Sequence, residues 1–313
     1  MSFILVSEVG PRDGLQALKR TMPSAAKHRW IAALAEAGLK EIEVGSFVSP
    51  KLLPQMADIN AVVAQAKTIK DLHVIALAPN LKGALNAFEA GVHKITLPVS
   101  VSEAHSIANV RKTHAEMIDE VRAVIELRNL CFPGIVVEAG LSTAFGCTLQ
   151  GVVTADETIR MAEMMAACGV DEIGLADTAG YANPVQVKRL FRRLQTAVGN
   201  KAGGAHFHNT YGQGLANVVA ALDAGVTTFD SSMGGIGGCP YAPGATGNIV
   251  TEDLVFLLES MQYDTGIDIE KLRQARAVLL EGLPDQELYG YVADIGLPKG
   301  FAYTETDEHE RKK

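Results

Sequence analysis

The chain has 313 residues, of which 48% are hydrophobic, 20% are charged and only 6% are aromatic. This composition is typical of a globular protein with a large core of Val, Ile, Leu and Ala. The formal charge of −8 argues against sequence-independent binding to nucleic acid, because that affinity comes from neutralising phosphates. A small anionic ligand held by a few local cations is compatible with this charge.

Cysteine usage and the lack of targeting segments indicate the compartment. The cysteines are Cys131, Cys147, Cys168 and Cys239, and none forms a CxxC pair, so we expect reduced thiols rather than a disulfide framework. The N-terminus lacks the plan of a signal peptide, and no apolar run approaches the ~20 residues that span a bilayer. The sequence therefore predicts a cytoplasmic protein with no membrane association.

The chain alternates apolar runs that predict strands with segments of helical periodicity. The predicted strands cover residues 3–6, 41–45, 72–78, 94–99, 135–139, 172–176, 205–208 and 226–231. The predicted helices cover residues 24–37, 54–68, 81–90, 103–128, 154–168, 184–198 and 214–224, with further helices at 254–258 and 269–280. Several helices stop at a glycine, namely Gly38, Gly91, Gly169 and Gly225, which is typical of helix C-caps.

The repeated order of strand and helix predicts parallel strands joined by right-handed crossovers. Eight such units favour an α/β fold, a (β/α)8 TIM barrel with extra C-terminal helices, since these barrels use about 250 residues as one domain. We expect residues 1–303 to form this single domain and the charged segment 304–313 to be a disordered tail. A doubly wound open sheet is the alternative, but no GxGxxG follows the first strand.

Polar side chains stand at the carboxyl ends of several predicted strands, where a TIM barrel has its active site. The first strand leads into the turn Glu8-Val-Gly-Pro-Arg-Asp-Gly-Leu-Gln16, which places Arg12 beside Asp13. Glu43 lies on the second strand and Asp177 follows the sixth. An arginine can stabilise an oxyanion and a carboxylate can bind a metal. The structural alternative for an Arg-Asp step is a solvated ion pair.

The seventh predicted strand ends in His206-Phe-His208-Asn209. Because residues two apart in a strand face the same side, both imidazoles can point into the barrel. Together with Asp13 they form a donor set that suits Mg²⁺ or Mn²⁺ with open coordination positions better than a closed structural zinc site. The alternative is a pair of hydrogen-bonded barrel histidines without a metal.

Glycines dominate the segment Met233-Gly-Gly-Ile-Gly-Gly-Cys239, which continues to Gly247 and Asn248. So many glycines disfavour helix and strand and predict a mobile loop that carries one thiol over the barrel mouth. The alternative is a flexible connector with an incidental cysteine. The other three cysteines lie beside apolar strand or helix residues, which favours a structural role for them.

Five motifs resemble hydroxymethylglutaryl-CoA lyases, which belong to a wider group of metal-dependent lyase and Claisen-type synthase barrels. They are the turn from Glu8 to Gln16, Ser46-Phe-Val-Ser-Pro-Lys51 with Pro54-Gln-Met56, Pro79-Asn-Leu-Lys-Gly83, His206-Phe-His208 with Thr210-Tyr-Gly-Gln213, and Gly237-Gly-Cys-Pro-Tyr-Ala242. The motifs occur in the family's order, and the resemblance covers the chain from about Ile4 to about Leu280.

This resemblance implies a role for each polar group at the barrel mouth. The ligands of the divalent cation would be Asp13, His206, His208 and Asn248. The catalytic residues would be Arg12, Cys239, Glu43 and Asp177. Arg12 would neutralise the enolate oxygen of the leaving acyl-CoA, and Cys239 would donate or accept a proton on the closing loop. Glu43 and Asp177 would order the polar network.

The chain departs from the family pattern at several positions. Asn209 stands where the lyases usually have Asp, which removes one possible carboxylate beside the metal and is similar to the synthase branch. On the fifth strand the chain has Glu138, Gly140 and Thr143, where the lyases commonly have a basic residue, an aromatic residue and a cysteine. After the fourth strand, Leu97-Pro-Val-Ser-Val-Ser-Glu103 replaces a Gly- and Ala-rich segment. These changes are expected to alter which acyl group fits.

The resemblance implies cleavage of 3-hydroxy-3-methylglutaryl-CoA to acetyl-CoA and acetoacetate, a reaction of leucine degradation and ketone-body formation. It also implies an acyl-CoA substrate and a homodimer. A close alternative is cleavage of citramalyl-CoA or of a longer-branched 3-hydroxyacyl-CoA. More distant alternatives are a synthase that condenses acetyl-CoA with a 2-oxo acid, which the cysteine loop disfavours, and a catalytically silent acyl-CoA-binding barrel.

Overall fold

The computed structural model describes residues 2–237 and 247–303. Eight parallel strands close into a barrel in chain order, which confirms the predicted TIM barrel. The strands are β1 (Leu5–Glu8), β2 (Glu41–Ser46), β3 (His73–Leu77), β4 (Lys94–Ser100), β5 (Val136–Ser142), β6 (Glu172–Asp177), β7 (Ala202–Phe207) and β8 (Thr228–Ser231). Cys239 and the predicted tail 304–313 lie outside the described residues.

Helices surround the barrel and extend it at the C-terminus. They are α1 (Ser24–Glu36), α2 (Ile59–Ala66), α3 (Leu81–Ala90), α4 (Glu103–Val110), α5 (His114–Cys131), α6 (Ala155–Cys168), α7 (Pro184–Val198), α8 (Gly214–Leu222), α9 (Thr251–Ser260), α10 (Ile269–Gly282) and α11 (Tyr291–Ile295). Within residues 2–237 and 247–303, none of these helices combines the length and apolar character needed to cross a bilayer.

The prediction of one long helix over residues 103–128 is wrong, because the chain breaks into α4 and α5. Arg111 ends α4 in the left-handed conformation with φ 58°, which interrupts the helical hydrogen bonds. Thr113 then begins α5 with a capping box, since its side chain accepts from the Glu116 backbone while the Glu116 carboxylate accepts from the Thr113 backbone. Such a cap stabilises a new helix start by about 0.5–2 kcal/mol, which outweighs a weak preference for one continuous helix.

Smaller differences concern element boundaries. The predicted helix at 54–68 is a short 3-10 turn (Pro54–Met56) followed by α2. β7 begins earlier than predicted and ends at Phe207, and His208 continues it by a single bridge to Asn248. The short helix α11 was not predicted. Its first turn is capped by the Asp253 carboxylate, which accepts from the Tyr291 and Val292 backbone amides, a contact distant in sequence.

The inward-facing positions near the start of the strands hold charged residues, although branched apolar side chains usually fill a TIM-barrel interior. We call this group the floor cluster, and it consists of Glu41, Lys94, Glu138 and Glu172. The Lys94 ammonium lies 3.3 Å from Glu41, 3.3 Å from Glu138 and 3.2 Å from Glu172. The outward-facing residues, such as Ile42, Ile95 and Phe229, are fully buried under the helices. The apolar core therefore lies between barrel and helices.

Candidate active site at the barrel mouth

Arg12 and Asp13 lie in a single π-helical turn (Gly10–Gly14) directly after β1. The carbonyl of Val9 accepts from the amides of Asp13 at 2.7 Å and Gly14 at 3.4 Å. Such one-turn π segments are frequent at functional sites. Gly14 is required by close packing, because a Cβ there would lie 2.6 Å from the Ile236 side chain. The turn thus presents both polar side chains at the carboxyl end of the barrel.

The buried carboxylate of Glu8 fixes this turn to the segments around it. It accepts from the amides of Gly10 and Met233, both at 2.9 Å, and from the Thr251 hydroxyl at 2.7 Å. Burial raises the pKa of Glu8 to about 8, although these three donors oppose the shift. Glu8 therefore connects the Arg12 turn, the exit of β8 and the start of α9.

The guanidinium of Arg12 bridges two carboxylates. Its Nε donates to Glu43 at 2.5 Å and its Nη1 donates to Asp13 at 2.6 Å. Burial opposes the charged form, but the two carboxylates prevail and raise the pKa of Arg12 above its ordinary value. Burial also raises the pKa of Glu43, against the attraction of Arg12. Arg12 is consequently a permanent cation held in one orientation, as a stabiliser of a developing anion requires.

Asp13, His206 and His208 converge at the mouth, as predicted from their positions at the strand ends. Each offers one ligand atom, and these atoms all lie within 4.8 Å of one another. The Nε2 atoms of the two histidines are 3.1 Å apart, and His208 Nε2 lies 3.9 Å from Asp13. The structure therefore brings together three of the four residues that the resemblance implies as metal ligands.

Asn248, the fourth, joins this group because its single bridge to His208 places it beside the extended end of β7. Its side-chain amide nitrogen donates to Asp13 at 2.8 Å. Its Oδ1 is buried and has no hydrogen-bond partner among the described residues. A buried acceptor without a donor is costly and is well suited to a cation, so this donor set of two imidazoles, a carboxylate and an amide oxygen fits Mg²⁺ or Mn²⁺.

The charges around the site favour forms that can ligate a cation. Burial disfavours the ionised form of Asp13, but Arg12 and the two histidines outweigh it and lower the pKa of Asp13 to about 2. Burial, followed by repulsion from His206, lowers the pKa of His208 to about 4. At neutral pH Asp13 is therefore an anion and His208 is neutral, as metal ligands must be.

Asp230 is a site residue that the sequence reasoning missed. It lies on β8 in register with His206 on β7, and its Oδ2 is 3.1 Å from His206 Nδ1. Despite burial, this hydrogen bond raises the pKa of His206. The sequence contained evidence for Asp230 as a site residue, because an aspartate one residue before the end of the eighth predicted strand can face the barrel interior.

Asp177 and Asn209, which the sequence analysis singled out, make contacts outside the group of Asp13, His206 and His208. The Asp177 carboxylate is fully buried and accepts from the Tyr181 and Ala182 amides at 2.8 and 3.0 Å, so it shapes its own loop. Burial raises the pKa of Asp177 to about 6. Asn209 Oδ1 accepts from the Gly214 amide at 3.0 Å. An aspartate at position 209 could accept the same bond, because the contact uses only the side-chain oxygen.

A cavity of about 820 Å³ opens at the mouth and continues into the barrel. Arg12, Asp13, His206 and His208 line it, whereas Asp177 does not. Gly140 also lines it, and a Cβ at this position would lie 3.1 Å from the Thr96 side chain. A large residue at position 140 would therefore need a smaller neighbour than Thr96. The floor cluster lines the same cavity, so the volume includes the barrel interior as well as the mouth.

This site can be compared with known proteins. The HMGL-like family model matches residues 4–279, which is most of the chain. The chain belongs to the HMGL-like family. It is 39% identical over 272 residues to hydroxymethylglutaryl-CoA lyase YngG of Bacillus subtilis, covering 87% of this chain and 90% of that protein. The assignment to this family from sequence motifs is thereby confirmed.

A second relative is named for two substrates. The chain is 40% identical over 268 residues to the 3-hydroxy-3-isohexenylglutaryl-CoA/hydroxymethylglutaryl-CoA lyase of Pseudomonas aeruginosa, covering 86% of this chain and 89% of that protein. Among solved structures, an HMG-CoA lyase from Acinetobacter baumannii, in complex with coenzyme A and 3-methylmalate, superposes with a TM-score of 0.89 and 38% identity. That match covers 96% of this chain and 97% of the other.

Proposed function

We propose that this family member is a divalent-cation-dependent carbon–carbon lyase that cleaves 3-hydroxy-3-methylglutaryl-CoA to acetyl-CoA and acetoacetate. The observation that carries the proposal is the fixed cation of Arg12 beside the convergent Asp13, His206 and His208 atoms. Relatives named for this activity, on chains that match over nearly their whole length, support it. We assign the activity to residues 1–303 as one domain and none of it to the segment 304–313.

The reaction breaks the C2–C3 bond of the substrate. The tertiary hydroxyl at C3 loses its proton, C3 becomes the ketone carbon of acetoacetate, and the electron pair of the broken bond passes to the thioester as an enolate. Protonation of that enolate at C2 releases acetyl-CoA. Two groups are therefore needed at the mouth, one that makes the hydroxyl more acidic and one that stabilises the enolate oxygen.

Arg12 suits the second requirement. Its charge is permanent and its orientation is fixed by Glu43 and Asp13, so little reorganisation is needed when negative charge develops. Glu43 acts through Arg12 and is a positioning residue. Glu8 fixes the backbone of the same turn through Gly10 and keeps the arginine at the end of β1.

Asp13, His206, His208 and Asn248 would hold the cation. When bound there, a divalent cation would supply Lewis acidity to the substrate oxygens and lower the pKa of the C3 hydroxyl. The protein's own contribution is to present ligands in the correct protonation state, since the pKa of Asp13 is lowered to about 2 and that of His208 to about 4. Asn248 further fixes Asp13 by donating to its carboxylate.

A substrate panel tests this proposal. Purified protein with Mg²⁺ is supplied with 3-hydroxy-3-methylglutaryl-CoA, citramalyl-CoA and longer-branched homologues, and products are identified by mass spectrometry. We expect acetoacetate and acetyl-CoA with the highest kcat/KM from the first substrate. A higher kcat/KM for citramalyl-CoA, with pyruvate as product, would overturn the substrate assignment. Chelator treatment should abolish turnover and Mg²⁺ or Mn²⁺ should restore it, and full activity after chelation would contradict the cation site.

The thiol of Cys239 is proposed as the proton donor or acceptor, because the described chain reaches the Arg12 turn at Gly237, where a Cβ would lie 3.0 Å from Gly14. Cys239→Ser should lower kcat by roughly 10²-fold, the usual contribution of general acid–base catalysis. Cys168→Ser is the matched control, because Cys168 is buried in α6. Equal effects of the two substitutions would remove the special role of Cys239.

We further propose that the chain acts as a cytoplasmic homodimer on acyl-CoA. The coenzyme A complex of the Acinetobacter baumannii relative supports an acyl-CoA substrate. Release of acetoacetate would place the protein in leucine degradation and ketone-body formation. Light scattering of the purified protein tests the dimer, for which a mass of about 67 kDa, twice the 33.3 kDa of one chain, is expected.

A further inference from the structure

The two histidines of the mouth differ in what lies behind their rings. Behind His206, the Asp230 carboxylate faces Nδ1 at 3.1 Å. Behind His208, the Nδ1 atom is buried and has no hydrogen-bond partner among the described residues. Both Nε2 atoms face the centre of the site, 3.1 Å from each other. A neutral imidazole carries one proton, and the partner of one nitrogen decides which nitrogen keeps a free lone pair.

Register places Asp230 in this position. β8 pairs with β7 through His206↔Asp230 and with β1 through Ser7↔Asp230, so the side chain is held between two strands and faces the interior. It lines the cavity, and its side chain is about one-third exposed (32%). Its place on a central strand, rather than on a loop, keeps its distance to His206 constant.

We infer that Asp230 is a positioning residue that holds His206 in the Nδ1–H tautomer, so that the Nε2 lone pair faces the cation site. A carboxylate only accepts hydrogen bonds, so the proton of a neutral His206 must lie on Nδ1 for this contact to form. The partner behind a metal-binding histidine fixes its ring and increases its basicity, and loss of such a partner typically weakens metal binding by about 10–100-fold. The inference rests on the cation site of the proposed function.

The site is consequently asymmetric. The Asp230 carboxylate permits one tautomer of His206, whereas the ring of His208 contacts His206 through Nε2 at 3.1 Å and has no partner at Nδ1 among the described residues. His206 should therefore be the histidine that is preorganised before a cation arrives. The pairing of the strands makes this possible, because β7 lies next to β8 and the register sets Asp230 opposite His206.

The first test reads the tautomer directly in the full-length protein without added metal. Protein with ¹⁵N-labelled histidine is examined by two-bond ¹H–¹⁵N NMR at pH 8, and His206→Asn identifies the signal. We expect wild-type His206 to be an Nδ1–H tautomer and Asp230→Ala to shift it toward the Nε2–H form. A wild-type Nε2–H tautomer, or an unchanged tautomer in Asp230→Ala, would overturn the inference whether or not the protein is a lyase.

The second test measures Mn²⁺ affinity by electron paramagnetic resonance, which counts free Mn²⁺ and needs no substrate. Asp230→Ala should weaken binding by about 10–100-fold. Glu138→Gln is the matched control, because it removes a carboxylate from the same interior without contacting His206. Equal losses in the two variants would mean that only the negative field matters, and wild-type affinity in Asp230→Ala would likewise contradict a positioning role.

Asp230→Asn serves if Asp230→Ala does not fold, because it preserves the volume of the side chain. Its amide can donate to Nδ1, and the corresponding change in the Ser-His-Asp triad stabilises the wrong tautomer. We therefore expect Asp230→Asn to show the Nε2–H form and weakened Mn²⁺ binding. An Nδ1–H tautomer with unchanged Mn²⁺ affinity in this variant would overturn the inference.

Discussion

The barrel interior holds two groups of charged residues that differ in how completely they satisfy each other. At the floor cluster, Lys94 supplies a cation to three carboxylates within 3.3 Å. At the mouth, Arg12 is similarly paired with Glu43 and Asp13, yet acceptors remain. Glu43 Oε1 and Asn248 Oδ1 are buried acceptors without hydrogen-bond partners among the described residues.

This difference separates a structural cluster from a binding site. The floor already contains its cation as a side chain, so each of its carboxylates faces an ammonium when the chain folds. The mouth holds more acceptors than donors, and a folded protein tolerates that cost where a ligand removes it. Position agrees with this distinction, since the carboxyl ends of barrel strands carry function and the amino ends carry stability.

Arg12→Gln should have the largest effect on activity. Loss of the fixed cation is expected to lower kcat by roughly 10³-fold or more, while thermal unfolding and Mn²⁺ binding show that the site persists. Arg29→Gln is the matched control, because Arg29 forms an exposed pair with Glu281 and should leave kcat unchanged. Near-normal turnover of Arg12→Gln would remove the arginine from the mechanism.

Lys94→Met should lower the stability of the protein much more than its turnover, the reverse of Arg12→Gln. Removing the cation leaves Glu41, Glu138 and Glu172 facing each other at the floor, and breaking a buried ion pair costs about 3–5 kcal/mol of unfolding free energy. Urea unfolding measures this loss, and kcat of the folded fraction should change far less than in Arg12→Gln. Lys188→Met, at an exposed pair with Asp223, should cost less than about 1 kcal/mol. If Lys94→Met abolished turnover without loss of stability, the floor cluster would belong to the active site.

Glu138→Gln should have the smallest effect, visible as a pH dependence. Burial raises the pKa of Glu138 to about 7 from an ordinary value of 4.5, against the attraction of Lys94. Between these two pH values the unfolded chain releases a proton that the folded chain retains, so wild-type stability falls as pH rises. Glu138→Gln lacks this loss. Its free energy of unfolding, relative to that of the wild type, should therefore rise by about 1–3 kcal/mol between pH 4.5 and pH 7.5.

Urea unfolding of the variant and the wild type at about pH 4.5 and about pH 7.5 gives this difference in the free energy of unfolding directly. Glu270→Gln, at an exposed pair with Arg273, is the control and should show much less change. A difference between Glu138→Gln and wild type that is the same at both pH values would contradict a raised pKa for Glu138.

The residues of the barrel mouth that lie at strand ends were predicted from the sequence. Arg12, Asp13, His206 and His208 were selected because polar residues at the ends of parallel strands meet at one edge, and the structure confirms that they meet. Their roles as ligands and catalysts stay predictions. Asp177 was selected by the same rule, but its position faces away from the cavity and its carboxylate binds its own loop.

What the sequence could not show depends on contacts between distant segments. One error was local instead, because the single long helix predicted over 103–128 overlooked the capping box of Thr113 and Glu116, which the sequence contains. Asp230 was missed because its importance comes from the pairing of β7 with β8. The roles of Glu138 and Asn209 were likewise set by neighbours, Lys94 in one case and the Gly214 amide in the other.

The sequence by itself determined the barrel, the family and the set of polar residues at the strand ends, because periodicity, glycine caps and long motifs are local in the chain. Only the tertiary structure decided which of the two charged clusters keeps a buried acceptor free for a ligand. That choice depends on whether each buried acceptor finds a donor from another strand, and Lys94 provides it at the floor while Asn248 Oδ1 stays free at the mouth, within the residues that the structure describes.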